Sequence, residues 1–342
     1  MSVEDVDEFA YGGQLVFNGI HKTNVLDSEF DFDQVVDEEL VDYSSGSIEE
    51  PGRGYKLIPF SDFVESDHQI DQETENLLGE VHAFRHLHEE WEYKEVETNQ
   101  GQNETRPTKN GVSSFDAYWA APDHLFIKGN KTEASQADDL LSATLDPFLE
   151  IRSLSFAPDF LLWIFSKEKN SEQLPGDLSI SMLTDAEVRG EEEDFFGQKS
   201  KVDDSKDVTK SPHVLMGVLK QKGIVALEGV FGLAGKFVRA RFSEEGRVHI
   251  KADHAIQGSS DVERMAISIA FLREFTELYE YWMGLDPDRQ YPPTDFFTDI
   301  YDECERQGVE IQFSIDDVIE EYRQKGGAED WNQYQSGLGE FP

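Results

Sequence analysis

The chain has 342 residues, 38% hydrophobic and 12% aromatic, enough to bury one large core or two ordinary ones, which excludes a disordered polypeptide. Asp and Glu number 71 against 30 Lys and Arg, a formal net charge of -41 spread among aromatic and branched residues; this resembles the solvated surface of proteins that work in molar salt. A single cysteine, Cys304, excludes an internal disulfide framework and a cysteine-based zinc site, and no apolar run reaches the ~18 residues of a membrane span.

The N-terminal MSVEDVDEFAYGG is acidic where a secretory leader would be basic and then apolar, so the expectation is a soluble, cytoplasmic protein without a membrane partner. Residues 1 to about 70 alternate strand-like runs, GGQLVFNGI and YKLIPF, with acidic turns; this region is expected to be β-rich. From Asp71, the residues Leu77, Leu78, Val81, Phe84, Leu87 and Trp91 recur at helical spacing and predict one amphipathic helix. The polar stretch that follows predicts a linker over 98–111.

Next come DHLFIKG as a strand, EASQADDLLSATL as a helix, and FLEIRSLSF and FLLWIFSK as strands. Residues 185–210 are charged and short of aliphatics and predict a mobile acidic loop. Two apolar runs, PHVLMGVLK and GIVALEGVF, then lead into a hairpin, KFVRARFSEEGRVHIKA. A long helix is predicted from Ser260, where Ser-Asp-Val-Glu forms a capping box, with Val262, Met265, Ile269, Leu272, Phe275 and Tyr279 along its buried stripe. Two acidic helices follow around VEIQF, the second capped by Ser314.

The fold class expected is α+β: an antiparallel sheet covered by a long C-terminal-side helix, with a β-rich N-terminal region. The expected organisation is an acidic N-terminal region 1–97, the linker 98–111, a main α+β domain 112–285 and an acidic helical extension 286–342.

The hairpin stands out by charge. Residues 210–251 hold eight Lys and Arg against three acids, a local net of +5 inside a chain at -41. Strand alternation puts Val238, Ala240, Phe242, Val248 and Ile250 on one face, and Phe237, Arg239, Arg241, Arg247, His249 and Lys251 on the other. A loop of Ser243, Glu244 and Glu245 would set Arg241 against Arg247, a repulsive pair that calls for an anion nearby. Guanidinium groups fork onto phosphates and an exposed ring stacks on bases, so Lys236, Phe237, Arg239, Arg241, Arg247, His249 and Lys251 form a candidate nucleic-acid surface. Neutralisation by acids of the same chain is the competing expectation.

A second constellation is EVHAFRHLHEE. On the helix predicted there, His82 and His86 stand one turn apart with Glu89 on their face, a geometry that holds a divalent metal. With Glu80, Glu92 and Lys94 they make a candidate metal-dependent hydrolase or nuclease; HxxxH departs from the zinc-peptidase HExxH order. GVFGLAGKF fails as a phosphate loop because five residues separate its glycines where four are required and Phe237 replaces the Ser or Thr. Cys304, between Glu303 and Glu305, is a poor nucleophile.

The expectation is a binding protein, without catalytic residues or cofactor, that takes an anionic polymer on the basic sheet face, nucleic acid first. The alternatives are the metal-dependent enzyme, and an interaction subunit that docks an acidic protein.

Overall fold

The computed structural model describes residues 15–26, 40–97, 103–190, 198–251 and 260–327. They are α+β, with eleven strands among the described residues, every strand pair whose register is defined being antiparallel. The chain divides into two compact units, one of residues 1–154 with 258–273, the other of residues 155–257 with 274–342.

The first unit contains β1 (Leu15–Val25), β2 (Arg53–Ile58), β3 (Val81–Glu97), β4 (Asn103–Ala120), β5 (His124–Lys128) and β6 (Leu149–Ser153). They run in the order β2-β3-β4-β5-β1, with β6 also on β1. Helices α1 (Phe60–Ser66), α2 (Gln72–Leu78) and α3 (Lys131–Leu145) belong to it. α3 opens on a capping box between Asn130 and Glu133 and lays Ala134, Ala137, Leu141 and Leu145 against Phe115, Trp119, Leu125 and Ile127.

The single helix expected from Asp71 to Trp91 is corrected here. α2 stops at Gly79, whose φ of 64° puts it in the left-handed region that ends helices, and β3 begins two residues later. Val81, Phe84 and Leu87 are all buried because the start of β3 is covered on both faces; a strand buried on both sides loses its alternation and its apolar spacing then imitates a helix. The expected linker is corrected with it. Residues 103–111 continue β4, paired with β3 from Glu97 opposite Asn103 to Trp91 opposite Lys109, while 98–102 lie outside the described residues. This ribbon is polar because both its faces are largely in water, and exposed strand and linker have the same composition.

The second unit contains β7 (Ser179–Arg189), β8 (Lys199–Val202), β9 (Gly223–Leu233), β10 (Lys236–Ser243) and β11 (Val248–Lys251), ordered β11-β10-β9-β7-β8. Its helices are α4 (Pro158–Lys169), α5 (Pro212–Leu219), the part of α6 (Asp261–Met283) from Glu274 onward, α7 (Pro287–Gln290), α8 (Thr294–Arg306) and α9 (Ile315–Gly327). α6 is the expected long helix, and the Ser260 hydroxyl accepts from the Glu263 amide at 2.9 Å as the capping box predicts. In this unit it covers one face of the sheet: Phe275 stacks on Phe242 with ring centroids 3.6 Å apart, and Phe156, Phe160, Phe231 and Tyr279 surround them.

FLLWIFSK, expected as a strand, is the body of α4. Pro158 starts the helix and every residue from Phe160 to Ser166 is buried, so its apolar run carries no period to distinguish the two structures. PHVLMGVLK is likewise mostly helix, in α5. The acidic loop expected over 185–210 contains the end of β7 and all of β8; residues 191–197 lie outside the described residues. Among the described residues no helix is long and apolar enough to cross a membrane.

Candidate anion-binding site

The hairpin forms where expected, with its register moved by two residues. Gly246, at φ 73°, closes a three-residue loop of Glu244, Glu245 and Gly246, and the Ser243 amide donates to the Arg247 carbonyl at 3.0 Å. Arg241 therefore faces His249 and Arg239 faces Lys251, so the expected Arg241–Arg247 pair does not form. A shift of two preserves the faces: Val238, Ala240, Phe242, Val248 and Ile250 are buried as predicted.

On the opposite face the residues fall into rows across four strands. Glu187, Ala226, Ser243 and Arg247 make one row; Asp185, Glu228, Arg241 and His249 make the next. Behind them Val230, Arg239 and Lys251 form a third.

The charge expected to await an outside partner is largely answered inside this face. Glu228, 1% exposed, accepts from Arg239 Nε at 2.7 Å and from Lys251 Nζ at 2.7 and 2.8 Å. Burial pushes the Glu228 carboxyl up, but the hydrogen bonds and charges of Lys251 and Arg239 outweigh it and hold the group below the usual carboxylate range. Arg239 also lies 3.6 Å from Asp204 and 3.8 Å from Asp185. The neutralising acids thus come from strands of the same sheet and, in Asp204, from the bend after β8. In the sequence the strands bearing them lie well away from the hairpin or read as unremarkable apolar runs.

The row nearest the loop is different. Between Glu187 and Ser243 stands Ala226, whose methyl group is too small to fill the face, and a cleft of about 360 Å³ opens there. Lys199 and Arg189 hold Glu187 at 2.7 and 3.7 Å, and Arg189 also holds Glu244 at 2.6 Å. Arg241 reaches Glu187 only at 3.5 Å, and Arg247, exposed, has no ion pair among the described residues.

Two buried polar atoms in the cleft wall, Ser243 Oγ and His249 Nε2, have no hydrogen-bond partner among the described residues. Burial lowers the pKa of His249, and the cations Lys251, Arg247 and Arg241 lower it further against the opposing effect of Glu228, so the ring is neutral at neutral pH. A buried polar atom without a partner costs about 1–3 kcal/mol, a cost that a hydrogen-bonding ligand or water in the cleft would remove.

The expected metal centre is corrected by β3. His82 and His86 lie on one face of a strand, where four residues span roughly 13 Å, too far to share one ion. His86 is wedged between Tyr55 and Phe115, its pKa lowered to about 4 by burial and by His88 and Arg53. His82 meets Glu80 at 3.1 Å. Glu89 takes the alternate position along the strand and accepts from Tyr43, Lys109, Trp91 and the amides of Gly46 and Gly52, pinning the segment before β2. Glu92 and Lys94 pair with each other at 2.5 Å. Among the described residues no group of three or more His, Cys, Asp and Glu could hold a metal ion.

The chain matches no known family model and no characterised protein in sequence. The site stands on its own geometry. GVFGLAGKF, for example, makes a two-residue hairpin turn with Ala234 at φ 50° and Gly235 at φ 69°, joining β9 to β10, so no helix follows the glycines to receive a phosphate.

Sequence reasoning also missed a clasp in the first unit. Ser153 Oγ lies 3.2 Å from His21 Nδ1, joining β6 to β1, and Asp138 Oδ1 of α3 lies 3.0 Å from His21 Nε2 without hydrogen-bond geometry. The three are far apart in the sequence, so spacing holds no trace of them. The amide of Leu154, next to the serine, donates to the Ile20 carbonyl at 2.7 Å and is not free to hold an oxyanion, which favours a structural role.

Proposed function

We propose that this protein is a non-catalytic binding module that takes an anionic polymer, nucleic acid first, at the loop end of its basic sheet face. The observation that carries the reading is the coincidence in one cleft of Arg247, without an ion pair among the described residues, with two buried polar atoms, Ser243 Oγ and His249 Nε2, that have no partner among them.

Arg247 and Arg241 present guanidinium forks, which match phosphate oxygens better than a point charge does. Phe237, 55% exposed, lies on the same face of β10 as Arg241 and offers a ring to a base. The third row, Arg239 and Lys251, supports the sheet through Glu228 and is not the contact surface. In a chain at -41, long-range attraction of a polyanion is absent, so binding rests on close contacts and is best sought where salt screens the repulsion.

The test is fluorescence anisotropy of labelled DNA and RNA oligonucleotides in molar KCl with the natural protein and Arg247→Glu. Binding by the first and at least a tenfold loss in the second is expected. Equal binding by both overturns the site. Binding by neither overturns nucleic acid as the ligand, and co-purification with an acidic protein would then identify an interaction subunit.

A further inference from the structure

We infer that the cleft is a phosphomonoester subsite, so that the nucleic acid is held by a terminal phosphate and not along its diester backbone. The inference rests on the nucleic-acid reading for the identity of the chain that bears the phosphate.

Four side chains define the subsite. Arg241 and Ser243 are successive outward residues of β10, Arg247 stands just before β11 and His249 in it; the Ser243 amide bond to the Arg247 carbonyl sets those two opposite each other, and the register sets Arg241 opposite His249. They are the corners of a rectangle roughly 5 Å across the strands and roughly 7 Å along them, a size that lets all four tips converge on one tetrahedral oxyanion. Each corner supplies a donor: two guanidinium groups, a hydroxyl, and an imidazole N–H once the neutral ring carries its proton on Nε2. The hydroxyl and the imidazole nitrogen are the two unpartnered buried atoms of the cleft.

Charge selects the ligand. A phosphomonoester offers three terminal oxygens and a charge of about -1.5 to -2 at neutral pH. An internal diester carries a single charge, which leaves one of the two guanidinium cations uncompensated where a monoester balances both. The surroundings act in the same direction. A backbone running on along the row, across the strands, meets the carboxylate of Glu187, and one running across the rows away from the loop meets the partly buried pair of Arg239 and Lys251 already bound to Glu228. Glu244 and Glu245 stand at the loop on the cleft rim. These acids tolerate one phosphate in the rectangle and repel a train of them.

The experiment compares one oligonucleotide sequence in three forms, 5′-phosphorylated, 3′-phosphorylated and unphosphorylated, in molar KCl, with a nucleoside monophosphate and inorganic phosphate as competitors. At least tenfold tighter binding of a phosphorylated form is expected, displaced by the nucleoside monophosphate and lost in both Arg247→Glu and Ser243→Ala. Equal binding of all three forms overturns the terminal-phosphate inference and leaves the polymer reading standing. Nucleoside monophosphate binding with no preference for any oligonucleotide overturns the nucleic-acid reading and retains the phosphomonoester subsite. No binding of any probe by protein that circular dichroism shows to be folded overturns both.

Discussion

The two ends of one sheet face differ in how their cations are answered. Away from the loop, Arg239 and Lys251 converge on Glu228, a buried carboxylate on β9; at the loop, Ala226 takes the corresponding place on that strand and Arg247 has no acid partner among the described residues. The first unit repeats the closed arrangement, with Asp116 on β4 held by Arg85 on β3 at 2.5 Å and Lys128 on β5 at 2.9 Å. A basic run in a sequence is therefore two things at once here. Where an acid stands within reach on a neighbouring strand the cations are structural, and where a small residue stands instead they are available.

The sharpest way to break that contrast is Glu228→Gln. It strands Arg239 and Lys251, which are about a quarter exposed, and should destabilise the protein by about 3 kcal/mol, the low end for a broken buried pair because the cations regain some water. Denaturant unfolding reads it; a loss below about 1 kcal/mol would place Glu228 among ordinary surface acids.

Acid titration extends the same comparison. Burial raises the Asp116 and Glu228 carboxyls, but the bonds from Arg85 and Lys128, and from Lys251 and Arg239, hold both below their ordinary values. Groups depressed in the folded state stabilise it fully above the unfolded pKa of about 4, and that contribution disappears as pH falls through the folded values. Stability should thus be level above about pH 5.5 and decline below pH 4, with a shallower acid limb in Glu228→Gln.

At the open end the effects should fall on binding. Arg247→Glu is expected to cost at least tenfold in affinity and, since the residue is exposed, under about 0.5 kcal/mol in stability. The salt dependence sharpens this: two phosphate charges neutralised on a single strand give a slope of log K against log salt of about -1.4, whereas a backbone laid along six cations would give about -4.

The smallest effect is the most diagnostic. His249→Phe removes an orphaned buried nitrogen, so stability should be unchanged or up by a few tenths of a kcal/mol while affinity falls, a pairing of signs that a purely structural histidine would not produce. Thermal unfolding and anisotropy on the same preparation measure both.

Much of the architecture was legible beforehand. The hairpin, its two faces and the capped helix from Ser260 follow from alternation and a capping box, signals written within a few adjacent residues. The failures share one cause. Where a segment is buried on all sides, as in α4 and at the start of β3, periodicity carries no information, and where a strand is exposed on both faces, as in 103–111, it looks like a linker. The rectangle of Arg241, Ser243, Arg247 and His249 was visible but for one corner. Three of its members were named from charge and alternation, but Ser243 was assigned to the loop because one glycine in the left-handed conformation decides where the turn closes.

By itself, then, the sequence determined the acidic composition, the α+β class, and which side chains of the hairpin point away from the core, because each depends on residue content or on neighbours a few residues apart. Which cations are spent on internal acids, and which are left open, only the tertiary structure decided. Glu187, Ala226 and Glu228 lie 13 to 60 residues from the hairpin side chains in their rows, and strand pairing alone sets them there.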